Sequence, residues 1–413
     1  MEFNFILKDN RPLDIIVLKL TDEQNNEYYI PTPLRISRNM WDEQKERPKN
    51  IYLKSEKKLN ARLDRIRIGI ADYLRELAVQ KKHLSPSTLA RRIKKHAEIN
   101  SFPYSEGSLL YSMHTYIHSR QHLITHSTFK RYMVFFHLLE RYEGYRRKML
   151  MIEEVNGNFV KDFMIFGESE HYCRSTVFRT IHFVRTILNY LEKRGIRTYA
   201  YELELPKEKK RGENFITLSE DEIITISQTE VPESLKAAKD WLVVSCYTGQ
   251  RVSDFMNFDL KTTQMVNGKP CLSFVQRKTQ KSILLPLHPV VSDILLQNSN
   301  GFPEKLPVHK YNEQIKQVVR YAGISAPVRV RKRRKFRSAM DMIPKWEAVT
   351  SHIGRRSFAS NFYGKIPTPL LMEATGHSTE QMFKRYINNA NAERTRSLGI
   401  YFDEVYKEKF LRI

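Results

Sequence analysis

Residues 351–357 read Ser351-His352-Ile353-Gly354-Arg355-Arg356-Ser357, and the spacing of His352 and Arg355 sets the reading of the C-terminal half. Positions three apart on a helix share a face, so His352 and Arg355 face one way and Arg356 another. Downstream lie Thr375-Gly376-His377-Ser378 and Arg385-Tyr386, and upstream lies Thr248-Gly249-Gln250-Arg251. Arg251 follows an apolar helical run from Trp241 to Tyr247 and a Thr-Gly break, so it starts a new helix with Asp254 one turn on.

Taken singly, each piece is weak. Guanidinium forks bind non-bridging phosphate oxygens, so Arg251 and Arg355, brought together, form a clamp for one phosphate and its transition-state charge. The plain alternative for Arg251 is a surface ion pair with Asp254. His352 can shuttle a proton near neutral pH or donate to a phosphate oxygen. Lys278 sits in the turn Arg277-Lys278-Thr279-Gln280-Lys281, between the strand patterns Leu272–Gln276 and Ser282–Leu287, where a flexible ammonium can reach an oxygen; Arg277 and Lys281 are rivals. Tyr386 is one of 21 tyrosines. A phenol of pKa about 10 costs roughly 4 kcal/mol to deprotonate at pH 7, so a nucleophilic tyrosine needs cationic neighbours or a base. Ser378, with Gln381 at the capping-box position, is expected to cap a helix that brings Tyr386 back beside His377.

The whole chain has 413 residues, with 69 Lys+Arg against 46 Asp+Glu and a net charge of +23. That balance calls for a polyanionic partner. No apolar run is long enough to span a bilayer, and the N-terminus lacks the layout of a signal peptide, so a cytoplasmic protein without membrane contact is expected. Cys173, Cys246 and Cys271 are odd in number and far apart, which fits reduced core residues rather than a disulfide framework or zinc cluster. His114, His118, His122 and His126 recur every four residues, a ligand-like spacing. No carboxylate or cysteine joins them, and Ser127 is expected to break the helix, so no metal site is assigned.

Three segments follow from periodicity. Alternating stretches at Phe3–Leu7, Asp14–Leu20 and Glu27–Ile30 predict a small antiparallel sheet; Leu59, Leu63, Ile66, Ile70, Leu74 and Leu77 predict a long amphipathic helix, and Ser85-Pro86 opens another. From Glu106 to Leu203 the pattern is helical, with Ser127 and Ser175 as expected caps and Lys193-Arg194-Gly195 as a stop. The charged stretch 206–214, containing Lys207, Lys209, Lys210 and Arg211, reads as a linker, and Ser219-Glu220-Asp221-Glu222 reads as a capping box opening the last domain. The expected domains are 1–105, 106–205 and 215–413. A second basic excursion, 329–337, holds seven basic residues in nine: Arg329, Arg331, Lys332, Arg333, Arg334, Lys335 and Arg337. It reads as an inserted hairpin along a DNA backbone or as a solvated basic loop.

The order Arg251 with Asp254, a hairpin lysine, His352-x-x-Arg355, Gly376-His377 and Tyr386 resembles the catalytic set of the tyrosine recombinase (phage integrase) family. The match spans about residues 215–395; segment 106–204 is similar to that family's helical core-binding domain, and the N-terminal sheet, more loosely, to arm-type DNA-binding domains of integrases from phages and conjugative transposons. The resemblance implies a mainly α fold with small β-sheets (α+β). It implies cutting and rejoining of double-stranded DNA at att-like sites through a 3′-phosphotyrosyl intermediate, without metal, ATP or other cofactor. In that scheme Arg251 and Arg355 hold the phosphate, Lys278 protonates the leaving oxygen, and His352 assists proton transfer. His377 hydrogen-bonds the phosphate and Asp254 buttresses the pocket. A homotetramer on DNA and a DNA-bending accessory protein are implied partners. Two departures stand out: aspartate at 254 where glutamate is also common, and Gly354 where a leucine often precedes the arginine, expected to weaken helix packing slightly. The apolar tail from Leu398 to Ile413 could dock on its own protomer or a neighbour. Alternatives are a type IB topoisomerase, a non-catalytic DNA-binding regulator in which a tyrosine or arginine would be missing, and a metal-dependent nuclease built on the histidine row.

Overall fold

Alternation of buried and exposed residues builds the first sheet: in β3 (Glu27–Ile36) Ile30, Thr32, Leu34 and Ile36 turn inward while Pro31 and Pro33 face out. Proline cannot donate to a ladder, and β3 is one of the two edge strands of the order β1-β2-β3, with β1 at Glu2–Leu7 and β2 at Asp14–Thr21. The pairs Phe3↔Leu20 and Phe5↔Leu18 set the register. The computed structural model describes residues 1–8, 13–50, 52–98, 104–204, 215–298, 301–334, 337–387 and 399–400. The expected linker with Lys207, Lys209, Lys210 and Arg211, the hairpin residue Lys335, and the tail apart from Gly399 and Ile400 lie outside these residues.

The chain forms two compact units, one of Met1–Glu208 with Arg331–Ala339 and one of Lys209–Val330 with Met340–Ile413. In the first, the sheet, the short ribbon β4 (Trp41–Asp42) with β5 (Arg47–Pro48), and helices α1 (Lys54–Gln80) and α2 (Pro86–Glu98) share one core. Helices α3 (Leu109–Ser119), α4 (His126–Arg146), α5 (Gly157–Ser169) and α6 (Arg174–Glu192) form a second, aromatic-rich core. The expected domains 1–105 and 106–205 therefore sit within a single unit.

A buried ion network joins them. Arg47 Nη2 meets Asp64 Oδ1 at 3.2 Å, Arg141 Nη1 meets the same oxygen at 3.5 Å, and Arg141 Nη2 reaches Glu170 at 3.3 Å. The helices approach closely here because Gly144 of α4 lies against Asp64; a Cβ at 144 would fall 2.2 Å from Asp64 Oδ1. Burial, with the neighbouring Arg141 charge, pushes Arg47 down to about 9. Buried cations without their counter-ion are costly.

Several helix starts differ from expectation by a residue or two. α4 is capped by Thr125, whose side chain accepts from Thr128 N, rather than by Ser127; α6 follows Cys173, two residues before Ser175. The histidine row is not one helix: His114 and His118 lie on α3, His122 in the following turn, and His126 at the start of α4. Among the described residues no group of three or more His, Cys, Asp or Glu could hold a metal ion. Cys246 and Cys271 are buried and Cys173 is half-buried, all free. Among the described residues no helix is long and apolar enough to cross a membrane.

The second unit opens with α7 (Glu220–Gln228), where the Ser219–Glu222 capping box forms as read from sequence. α8 (Glu233–Thr248) is the central helix, with Trp241 packed on Phe302 and its indole N–H donated to Glu304 O at 2.9 Å. The short α9 (Val252–Phe255) leads to the sheet β6 (Thr263–Val266), β7 (Lys269–Val275) and β8 (Ser282–Pro286), then α10 (Pro289–Gln297) and α11 (Val308–Tyr321). β9 (Pro327–Arg334) and β10 (Arg337–Pro344) pair as the inserted hairpin, followed by α12 (Lys345–Ala348). α13 (Ile353–Phe362), α14 (Thr368–Thr375) and α15 (Glu380–Lys384) complete the unit. Gly354 does not loosen α13. A Cβ there would lie 2.0 Å from Ser245 Oγ, so the glycine lets α13 press directly on α8.

Replacing Asp64 with alanine leaves Arg47 in the interior without its counter-ion, while Arg141 keeps Glu170. We expect Asp64→Ala to destabilise the first unit by about 3–5 kcal/mol, read as a lowered denaturant midpoint, with Asp64→Asn less severe.

Candidate functional site

Arg355 lies on the first turn of α13 and has no solvent exposure. Its Nη1 donates to Gly249 O at 3.0 Å and its Nη2 meets His377 Nε2 at 3.1 Å; its Nε–H has no partner. Gly249 can offer that carbonyl because it ends α8 in the left-handed region at φ 67°, packed so tightly that a Cβ would lie 2.5 Å from Phe358. His377 follows a second left-handed glycine, Gly376 at φ 73°, which ends α14. Thr375 gives its one hydroxyl proton to a carbonyl of α14, Leu371 O at 2.6 Å, and so accepts from His377 Nδ1 at 2.8 Å. That leaves His377 Nε2 as an acceptor for Arg355.

Tyr386 follows α15, whose N-cap is Thr379 rather than Ser378. Beneath it Phe358, Leu371, Phe383 and Ile387 form a small separate core, and Ser360 Oγ donates to Tyr386 O at 3.1 Å. The result is convergence. The Tyr386 ring lies 4.8 Å from the His377 ring, 5.4 Å from the His352 ring and 5.5 Å from the Arg355 guanidinium carbon. Arg356 faces elsewhere, over Phe215 at 4.9 Å.

Arg251 stands as the N-cap residue of α9 and donates from Nη1 to Gln276 Oε1 at 3.0 Å, not to Asp254. Asp254 instead accepts the Arg277 N–H at 3.0 Å, fixing the start of the β7–β8 turn, and its second oxygen is buried without a partner. Lys278 and Lys281 both sit near enough to bear on the histidines, Lys278 on His352 and Lys281 on His377. Both histidines are therefore held neutral. Burial first, then the Arg356 and Arg355 charges, press His352 down to about 4; burial, then Arg355 and Arg251, press His377 down to about 3. Burial and the nearby Arg251 lower Arg355 to about 10.

Sequence reading missed Gln250 and Gln276, both without solvent exposure, which tie these segments together. No signal in the sequence marks them, since an amide just past a half-exposed strand looks solvated until its distant partners are known. Of the basic hairpin, Arg329 and Arg331 are exposed at alternate positions of β9, on one face of the strand.

Residues 8–90 match the family model of the Arm DNA-binding domain. No curated protein matches the sequence. Among solved structures, the integrase of transposon Tn1549, in complex with a circular intermediate DNA, is similar at 14% identity and a TM-score of 0.51, over 72% of this chain and 100% of that one. The XerH site-specific recombinase, bound to a palindromic difH substrate in a post-cleavage complex, is similar at 13% identity and a TM-score of 0.50, over 83% of this chain and 97% of that one. An N-terminal segment of the Arm DNA-binding type thus belongs to a chain with the tyrosine-recombinase fold.

Proposed function

We propose that this chain is a site-specific DNA recombinase, the integrase of a mobile element, that cuts and rejoins DNA through a phosphotyrosine. One observation carries the reading: Tyr386 stands in the same chain's pocket beside a fully buried Arg355 with an unpartnered N–H and two neutral imidazoles. A buried cation whose hydrogen-bond acceptors are neutral, with a second guanidinium beside it, favours an added anion. In the proposed step Tyr386 Oη bonds to the scissile phosphorus as the bond from phosphorus to the 5′ oxygen breaks. The phenolic proton goes to His352, and the departing oxygen takes a proton from Lys278, with Lys281 a second donor near His377. Reversal by a partner strand's 5′-hydroxyl restores the phosphodiester, so the ester stores the bond energy.

His352 is the better base on geometry. Its imidazole makes no hydrogen bond to a described residue, whereas both nitrogens of His377 are engaged. In this arrangement His377 supports Arg355, and donation to phosphate would need its proton moved to Nε2. The Arm DNA-binding match favours an integrase over a topoisomerase that reseals the same strand, and no arginine or tyrosine is missing as a non-catalytic regulator would require. Assembly as a homotetramer on double-stranded DNA, with a bending protein assisting and Arg329 and Arg331 along the backbone, belongs to the same proposal.

Incubation with a nicked att-like DNA that loses its 5′ end should trap a covalent adduct on Tyr386, absent in Tyr386→Phe. Arg251→Ala and Arg355→Ala should bind that DNA but cleave at least about 100-fold more slowly. An adduct on Tyr401 or Tyr406, or loss of binding in the arginine variants, would contradict the assignment.

Because both histidines stay uncharged well below neutrality, kcat/KM for adduct formation should show no ionisation near pH 6.5 and fall only towards pH 4. The unfolded chain binds those protons near pH 6.5, so they lower folding stability progressively as pH drops from there through about 4. A His377→Gln variant should lose less stability across that window.

A further inference from the structure

We propose that Gln276 is the positioning residue for Arg251, aiming its guanidinium at the phosphate without cancelling its charge; this rests on the function proposed above. Gln276 directly follows β7 with no solvent exposure, and its side-chain amide is fully used. Oε1 accepts from Arg251 Nη1 at 3.0 Å and from Thr279 Oγ1 at 2.6 Å. Nε2 donates to Gln250 Oε1 at 2.9 Å and to Thr375 O at 3.0 Å. Gln250 in turn donates to Thr248 O at 2.9 Å and Ala374 O at 2.7 Å.

Only one orientation of the Gln276 amide satisfies this set. Turned over, its NH2 would face a guanidinium and its oxygen would face the Thr375 carbonyl. The Gln250 amide is pinned likewise by two carbonyls, so the pair cannot flip together. The oxygen presented to Arg251 is thereby fixed by three separate segments: the end of α8, the β7–β8 turn and the end of α14. Gly376 leaves room for it, since a Cβ there would lie 2.4 Å from Gln276 Oε1.

The choice of an amide has an electrostatic consequence. A carboxylate at this point would pair with Arg251 and compete with a phosphate for the same fork. An amide oxygen directs one N–H and leaves the net charge for the ligand. Through Thr375 the same amide also joins Arg251 to the segment that sets the His377 tautomer, so the two halves of the clamp share one fixed reference.

The test uses the full chain and nicked att-like DNA carrying a single Rp or Sp phosphorothioate at the scissile position. Sulfur in place of the oxygen that Arg251 grips should slow cleavage more than sulfur at the other oxygen, so the Rp/Sp rate ratio reports guanidinium alignment. We expect Gln276→Met to cleave about 10–100-fold more slowly at saturating DNA, to bind within about threefold of wild type, and to shift the Rp/Sp ratio by about threefold or more. An unchanged rate, or a slower rate with an unchanged ratio, overturns the assignment. Should Gln276→Met not fold, Thr279→Val at the exposed turn decides: it removes one tether of Oε1 and should show a smaller loss with the ratio shifted the same way, and no change in either overturns the proposal. Absence of any adduct from the wild-type chain is a different failure, sinking the recombinase reading and this inference with it.

Discussion

Arg355 carries a positive charge at a point with no solvent exposure, and the second unit holds it by hydrogen bonds to neutral groups, with the Asp254 carboxylate only nearby and not hydrogen-bonded to it. Its described partners are a backbone carbonyl at Gly249, an imidazole nitrogen at His377 and the Tyr386 phenol, all neutral. Such a cation is expensive to bury, typically by several kcal/mol, and a second guanidinium nearby raises the cost further. The energy has to come from the core around α8, α11 and α13, and from close helix contacts such as Gly354 against Ser245. What the unit gains is a buried positive point that an anion would stabilise.

The same constraint accounts for the state of the histidines. Burial first, then the guanidiniums of Arg355 and its half-buried neighbours, hold His352 and His377 neutral, pressed down to about 4 and about 3. Each is therefore available as a proton acceptor or a hydrogen-bond relay, but not as a standing charge. The left-handed glycines follow from the geometry as well. Gly249 must turn its carbonyl back on Arg355 at a position where Phe358 leaves no space for a side chain, and Gly376 must turn the chain beside Gln276.

Elements governed by local chemistry were legible before the fold was known. The Ser219–Glu222 capping box, the β7–β8 hairpin with Lys278 in its turn, the α1 stripe and the three strands of the arm sheet all depend on near neighbours in sequence. Caps were read less sharply: Thr125, Ser127 and Thr128 are clustered hydroxyls, and Thr379 stands beside Ser378, so neighbouring residues compete for the same role. The histidine row failed for a related reason. A spacing of four implies a shared face only while the helix continues, and α3 stops at Ser119. The glutamine pair was invisible because an amide at a strand end looks solvated until its partners, 26 and 99 residues away, are known. The joining of sheet and bundle was hidden likewise, since Arg47, Asp64 and Arg141 are scattered in sequence.

On the proposed reading, the placement of the two lysines in the β7–β8 turn bears on which end of the reaction each histidine serves. Lys278 acts on His352 and Lys281 on His377, with Gln280 in the left-handed region at φ 53° turning the chain between them. The residue preceding Lys278 is anchored, since the Arg277 N–H is bound to Asp254, while the lysine itself is exposed and free to swing. A proton donor for a leaving oxygen needs that combination of fixed root and mobile tip, because the oxygen moves as the bond to phosphorus breaks. Asp254 thus acts on the site through the turn and through its charge on Arg355, not through a hydrogen bond to Arg251, and a short carboxylate reaches the Arg277 N–H.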